Sequence, residues 1–171
     1  MATKPQLRSS TAAAPDFTSV LDTPSNEVAR PRPLPQGTFA WQVKGLPRID
    51  KSTKKGTEFS EYTVQPLEAC EDVDPDELKL SLTKPSGEVI ALKDRTNRVT
   101  FYHTEDALWR LKKFLNDLQI PEEDDDGNIR TLRQRMQDVP GKIFYGHIKH
   151  QPSEDGETMY ANIDKTAPYE S

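Results

Sequence analysis

The chain has 171 residues, 33% of them hydrophobic and 30% charged, with 14 prolines and a formal net charge of −5. That length holds one domain with tails, and the low apolar share leaves part of the chain outside any core. The acidic total excludes a generally basic nucleic-acid coat and confines any cationic surface to a local patch.

Residues 1–36 mix Ala, Ser, Thr and Pro with almost no apolar periodicity, so burial cannot offset their ordering entropy and a flexible Pro-rich arm is expected. The run from Ala29 to Gly37, ARPRPLPQG, favours extended polyproline conformation and reads as a linker or as a partner-binding peptide. A domain is expected over residues 37–166, with 167–171 as a tail. From Thr38 to Lys44 the alternation of Phe39, Trp41 and Val43 with polar residues predicts a half-buried strand, broken by Gly45 and Pro47. The loop from Arg48 to Gly56 carries Arg48, Lys51, Lys54 and Lys55 against Asp50 alone, which makes it the best basic patch in the chain. A second strand is expected over Glu58–Gln65, with Phe59 on the face opposite Tyr62.

Six carboxylates and Pro75 make Glu68 to Glu77 a solvated acidic loop. Leu78, Leu80 and Leu82 alternate with polar residues ahead of the turn KPSG, and Val89–Lys93 returns, which predicts a hairpin. Val99 to Tyr102 adds a short β-rich stretch. Thr104 reads as the cap of a helix running to Gln119, with Ala107, Leu108, Leu111, Phe114, Leu115 and Leu118 on one apolar stripe. Trp109, off its centre beside Lys112 and Lys113, reads as the margin of the core or as a cationic, aromatic face able to stack a base. The acidic run Glu122 to Asp126 resembles a calcium loop as far as Gly127 and Ile129, but Arg133 stands where the closing carboxylate belongs. A second short helix spans Ile129 to Val139. A closing hairpin follows over Gly141 to Asp164, with rings on both faces of its first strand and fraying beyond.

No nucleophile elbow, Gly-rich phosphate loop or His and Cys cluster is present, so no enzyme, no metal and no cofactor is expected. His147 and His150 lie three apart on a strand and so point to opposite faces. The lone Cys70 excludes an internal disulfide and suits a reducing cytoplasm. No apolar run nears the roughly 18 residues that span a bilayer, and the start lacks a signal-peptide core.

Strands, a helical insert and a closing hairpin predict a mainly β chain: an OB-fold-like five-stranded antiparallel barrel with helices between strands 3 and 4. Single-stranded nucleic acid needs cations along its phosphates and exposed rings for its bases. Both types occur at Trp41, Arg48, Lys51, Lys54, Lys55, Phe59 and Tyr62 on the first strands and their loop, and at Lys149, His150 and Tyr160 on the last hairpin. On the stretches WQVKGLPRIDKSTKKGTEFSEYTVQ and GKIFYGHIKHQPSEDGETMYANID, and on element order from Gly37 to Ala167, the chain resembles phage-encoded OB-fold single-stranded DNA-binding proteins. The resemblance implies binding of single-stranded DNA without strong sequence preference, in phage DNA replication or recombination and in the host cytoplasm. Replication or recombination proteins are the implied partners. The helical insert is longer than a single OB helix, and DKTAPYES is not an acidic tail ending in an apolar residue. The alternative is a non-enzymatic α+β protein-interaction or virion-assembly module, with every ring in the core and the lysine loop merely solvated. Trp41 and Phe59 discriminate: if both rings are buried, the stacking platform vanishes.

Overall fold

The computed structural model describes Leu21, Ser25 and residues 31–170, so the greater part of the expected arm lies outside the described residues. The elements run β1 (Gly37–Val43), β2 (Arg48–Lys51), β3 (Glu58–Ala69), α1 (Pro75–Ser81), a 3-10 turn (Leu92–Asp94), β4 (Asn97–Tyr102), α2 (Leu108–Asp117), α3 (Leu132–Met136), β5 (Ile143–Pro152) and β6 (Met159–Pro168). The chain is mainly β: these strands form one open antiparallel sheet of six strands, ordered β2-β3-β1-β5-β6 with β4 also on β3.

The 12 residues of β3 organise the sheet. The first half pairs with β2 (Phe59 opposite Asp50) and with β4 (Phe59 opposite Tyr102), and the second half pairs with β1 (Val64 opposite Val43). Between β1 and β2 the amide of Lys44 still donates to Thr63 O at 2.9 Å, so the two read as one strand interrupted at Gly45–Pro47. On the far side of β1 lies β5, Gly37 opposite Ile148 and Gln42 opposite Ile143, and β6 pairs along all of β5. No ladder joins β4 to β6. The Asn97 amide donates across the gap to Ala161 O at 2.9 Å, and α2 lies against both strands, with the Lys113 ammonium donating to Thr166 O at 3.0 Å.

Period-two alternation sorts the side chains. Phe39, Trp41 and Val43 of β1, Tyr62 and Val64 of β3, Val99 and Phe101 of β4, and Phe144 and Ile148 of β5 face one core. Against it α2 lays Leu111, Phe114, Leu115 and Leu118, the expected stripe, each contributing about 1.5–3 kcal/mol by leaving water. The Phe114 ring meets Phe101 at 4.9 Å, Phe144 at 5.1 Å and Tyr62 at 5.9 Å, which makes it the hub of the aromatic core. Arg135 of α3 is buried and donates to Ile120 O (2.6 Å) and Asn116 Oδ1 (2.8 Å), so it ties α3 to the end of α2.

Several expectations are corrected. The hairpin over Leu78–Lys93 is not there: Asp74 accepts from the amides of Asp76 (2.8 Å) and Glu77 (3.3 Å), Pro75 sits in the first turn, and Pro75–Ser81 is helical. This capping chemistry outweighs the alternation of three leucines, of which Leu80 stays exposed. The return strand is reduced to a single bridge between Thr83 and Val89, and β4 supplies the strand that the hairpin was expected to give. The basic loop begins as strand β2, and β3 runs four residues past Gln65. Thr104 starts a turn rather than the helix: its carbonyl accepts from Ala107 (3.0 Å) and Leu108 (2.9 Å), and α2 begins at Leu108. The second short helix is confined to Leu132–Met136, capped by Thr131. At the two ends Leu34 belongs to the core, β6 continues to Pro168, and Tyr169 packs on Tyr145 at 5.2 Å, so strand pairing runs on past Asp164, where fraying was expected.

Candidate nucleic-acid interface

The outer face of the β2-β3-β4 patch carries the site. Inward residues of β3 alternate with Phe59, Glu61 and Thr63, and the register sets Phe59 beside Tyr102. The rings meet edge to face at 5.9 Å and 63°, with Phe59 half-buried and Tyr102 47% exposed. Above them the chain turns from β2 into β3 through Ser52–Thr57, closed by Ser52 N to Thr57 O (2.8 Å) and Gly56 N to Ser52 O (2.8 Å). Gly56 takes φ +65°, the left-handed conformation that a glycine adopts without strain. Turn, rings and the segment that follows β4 enclose a groove of about 710 Å³.

Its charged walls are Arg48, Lys51, Lys54 and Lys55 against Asp50. Arg48 is committed: it pairs with Asp50 at 2.7 Å and Glu61 at 3.4 Å, and its guanidinium lies 5.2 Å over the Phe59 ring. Lys51, Lys54 and Lys55 are exposed, and none has a carboxylate within salt-bridge distance among the described residues. An anion entering the groove therefore meets three ammonium groups free of ion pairs beside two rings, with Lys51 standing across from the Glu58 carboxylate in the β2–β3 register.

Below the groove, His103 links two residues of β3. Its Nδ1 lies 2.7 Å from Glu58 Oε1 and its Nε2 2.5 Å from Ser60 Oγ. The hydrogen bond from His103 holds the Glu58 carboxyl below its usual range, so Nδ1 donates to a carboxylate. The atoms line up as in a hydrolytic relay, but Ser60 is wholly buried, so a substrate carbonyl does not reach its hydroxyl in this conformation. The chain of bonds holds the end of β4 to the start of β3 and thereby fixes Tyr102 next to Phe59.

The structure brings together Arg48, Lys51, Lys54, Lys55 and Phe59 and separates the other expected residues from them. Trp41 is wholly buried, its indole N–H donating to Gly146 O at 3.1 Å. A Cβ on Gly146 would stand 2.8 Å from that indole, so the glycine is what lets β5 lie against the ring. Tyr62 is equally buried, and its hydroxyl has no partner among the described residues. Neither ring offers a stacking surface, which corrects the expectation for both: they occupy the inward phase of strands whose inner face is core. Lys149 and Tyr160 are exposed, but β5 outruns β1 beyond Ile148, at the end of the β1–β2 path opposite the lysine turn. His150 is taken up structurally: its Nε2 donates to Leu34 O at 2.6 Å and its amide to Gln36 Oε1 at 3.1 Å, which pins the entering chain to the hairpin.

Tyr102 is the residue that sequence reasoning missed. The signal was present, since Phe101 and Tyr102 are consecutive in a strand and cannot both face inward. In the acidic connector Asp124 Oδ1 accepts from the amides of Asp126 and Asn128, both at 2.9 Å, and these bonds lower its pKa. No group of three or more metal-ligating side chains is gathered to hold an ion among the described residues. Nor is any described helix long and apolar enough to cross a membrane. No protein-family model matches the chain, and no curated protein matches it.

Proposed function

We propose that this protein binds single-stranded DNA without strong sequence preference and protects it during replication or recombination of phage DNA, with replication or recombination proteins as its partners. The observation that carries the reading is the groove of about 710 Å³ in which Lys51, Lys54 and Lys55 stand unpaired beside the Phe59–Tyr102 ring pair. Phosphates supply the anions that those ammonium groups lack, and unstacked bases supply flat partners for the rings. Support for an OB-type barrel comes from the pairing path β4-β3-β1-β5-β6, with β2 continuing β1, the helices α2 and α3 between β4 and β5, and the Asn97 bridge to Ala161 across the remaining gap.

A second reading, an interaction module, is favoured by a different observation. Leu46 and Ile49 are exposed beside an apolar hollow of about 290 Å³ that Leu108, Leu132 and Met136 also line. Salt-dependent titration with labelled single-stranded and duplex oligonucleotides separates the two. On the first reading micromolar protein at low salt retains the single strand and holds duplex much more weakly. Replacing Lys51, Lys54 and Lys55 by Ala then lowers the slope of log K against log salt by about 0.7 for each phosphate no longer neutralised. Failure of the wild-type protein to retain any single strand, or equal binding of duplex, overturns the reading.

A further inference from the structure

Where β4 and β6 do not pair, a groove of about 650 Å³ opens between β4, α2 and β6. Trp109 stands in it, 59% exposed. It lies on the polar side of α2, with Lys112 and Lys113, away from the stripe of Leu111, Phe114, Leu115 and Leu118 that faces the core. The Arg110 guanidinium lies 5.5 Å over its ring centroid, and Lys165 approaches from β6. Lys113 is tied to Asp117 at 2.6 Å and to Thr166 O at 3.0 Å. Arg110 and Lys165, in contrast, have no carboxylate within salt-bridge distance among the described residues.

The seam thus repeats the chemistry of the lysine groove: a large exposed ring, unpaired cations and no committed partner. The two grooves share β4. Tyr102 lines one and Thr100 the other, and both are exposed on the outer face of the strand, two residues or roughly 7 Å apart.

Resting on the nucleic-acid reading, we propose that the seam is a second stacking station on one continuous path. A single strand held at the lysine turn and Phe59–Tyr102 crosses the outer face of β4 and lays a further base on Trp109, with its phosphates at Arg110 and Lys165. Charge selects the occupant, because Arg110 and Lys165 stand without ion pairs among the described residues while Asp164, which also lines the groove, is held by His147 Nδ1 at 2.9 Å. The flat indole selects an unpaired base over a duplex, whose bases are already stacked.

The test uses the chain's own fluorescence. It has two tryptophans, and Trp41 is buried with its N–H bonded, so a change in emission on binding reports Trp109. Oligothymidylates from about 4 to about 16 nucleotides are titrated into the wild-type protein and into Trp109→Ala. Long oligonucleotides are expected to quench wild-type emission and to bind Trp109→Ala about 5- to 150-fold more weakly, while the shortest bind both alike. Arg110→Ala with Lys165→Ala is expected to lower the salt slope for long oligonucleotides by about 0.7 for each phosphate left without its cation. The proposal is overturned if Trp109→Ala binds every length as the wild type does, if the loss is equal at all lengths, or if a saturating long oligonucleotide leaves the emission unmoved. Should Lys51, Lys54 and Lys55 to Ala weaken binding in that case, the first station stands and only the second falls. Should the wild-type protein retain no single strand at all, both fall.

Discussion

The two faces of β3 differ in the use they make of the same residue types. On one, Ser60, Tyr62 and Val64 are buried, with Tyr62 packed on Phe114 of α2; on the other, Phe59 lines the cationic groove and Glu61 pairs with Arg48 and Arg98. Aromatic content does not distinguish the faces, since each carries a ring within three residues of the other. What separates them is the phase of a period-two strand, and hence whether a ring is packed or available. A cluster of aromatics near lysines is thus a weak signal for base stacking until each ring has been assigned to a face.

The largest effect that tests this division is expected on the inner face. Phe114 fills the space among Tyr62, Phe101 and Phe144, so Phe114→Ala leaves a cavity that the surrounding strands cannot close, and a loss of about 3–5 kcal/mol is expected in chemical denaturation. Lys112 is one of the exposed residues of the same helix, with only a long pairing to Glu122 at 3.6 Å, and Lys112→Ala is expected to be nearly silent. Equal losses from the two would mean that the helix presents a different face to the sheet.

The next effect belongs to the outer face and is read in binding. Phe59→Ala or Tyr102→Ala is expected to weaken single-strand binding by about 1–3 kcal/mol with an unchanged salt slope, because a ring releases no counterions. The lysine substitutions should do the reverse and change the slope. Phe59→Ala also frees the Arg48 guanidinium from the ring beneath it, so Tyr102→Ala is the cleaner variant of the two. If both ring variants bind as the wild type does while the lysine variants lose affinity, the groove is an electrostatic surface without stacking.

How far the sequence could be read follows from the same physics. The strands β1, β3 and β5 and the stripe of α2 were legible because burial on one side writes a period into the chain, and that period also separated Phe59 from Tyr62. The segment 74–94 was misread because three alternating leucines mimic a strand, whereas Asp74 and Pro75 specify a helix start through bonds that involve no periodicity at all. Trp41 was misassigned for a different reason. A strand paired on both sides, β1 buries the ring, and its pairing with β5 brings Trp41 to Gly146 across 105 residues of chain, which neither position announces. The convergence of Tyr102 on the lysine turn is likewise a matter of register between β3 and β4, fixed by the link from Glu58 through His103 to Ser60 rather than by local spacing.

The smallest effect is the sharpest test of the inner face. Tyr62 carries a hydroxyl into the core without a hydrogen-bond partner among the described residues, so Tyr62→Phe removes an unsatisfied polar group while keeping the ring that packs on Phe114. A gain of about 1 kcal/mol at neutral pH is expected. Burial also pushes the phenol pKa above its ordinary value of 10.0. A group whose folded pKa is raised contributes stability that is fully present below its unfolded pKa and lost as pH rises toward the folded one, because the unfolded chain ionises first. Wild-type stability should accordingly fall as pH climbs above 10, and Tyr62→Phe should lack that part of the fall. Tyr145, whose pKa is also raised by burial, is present in both proteins, so the difference between their alkaline profiles isolates Tyr62. A variant that is less stable than the wild type at neutral pH and has the same alkaline slope would place the hydroxyl in contact with water, and with it the ring on the wrong side of the division between the two faces.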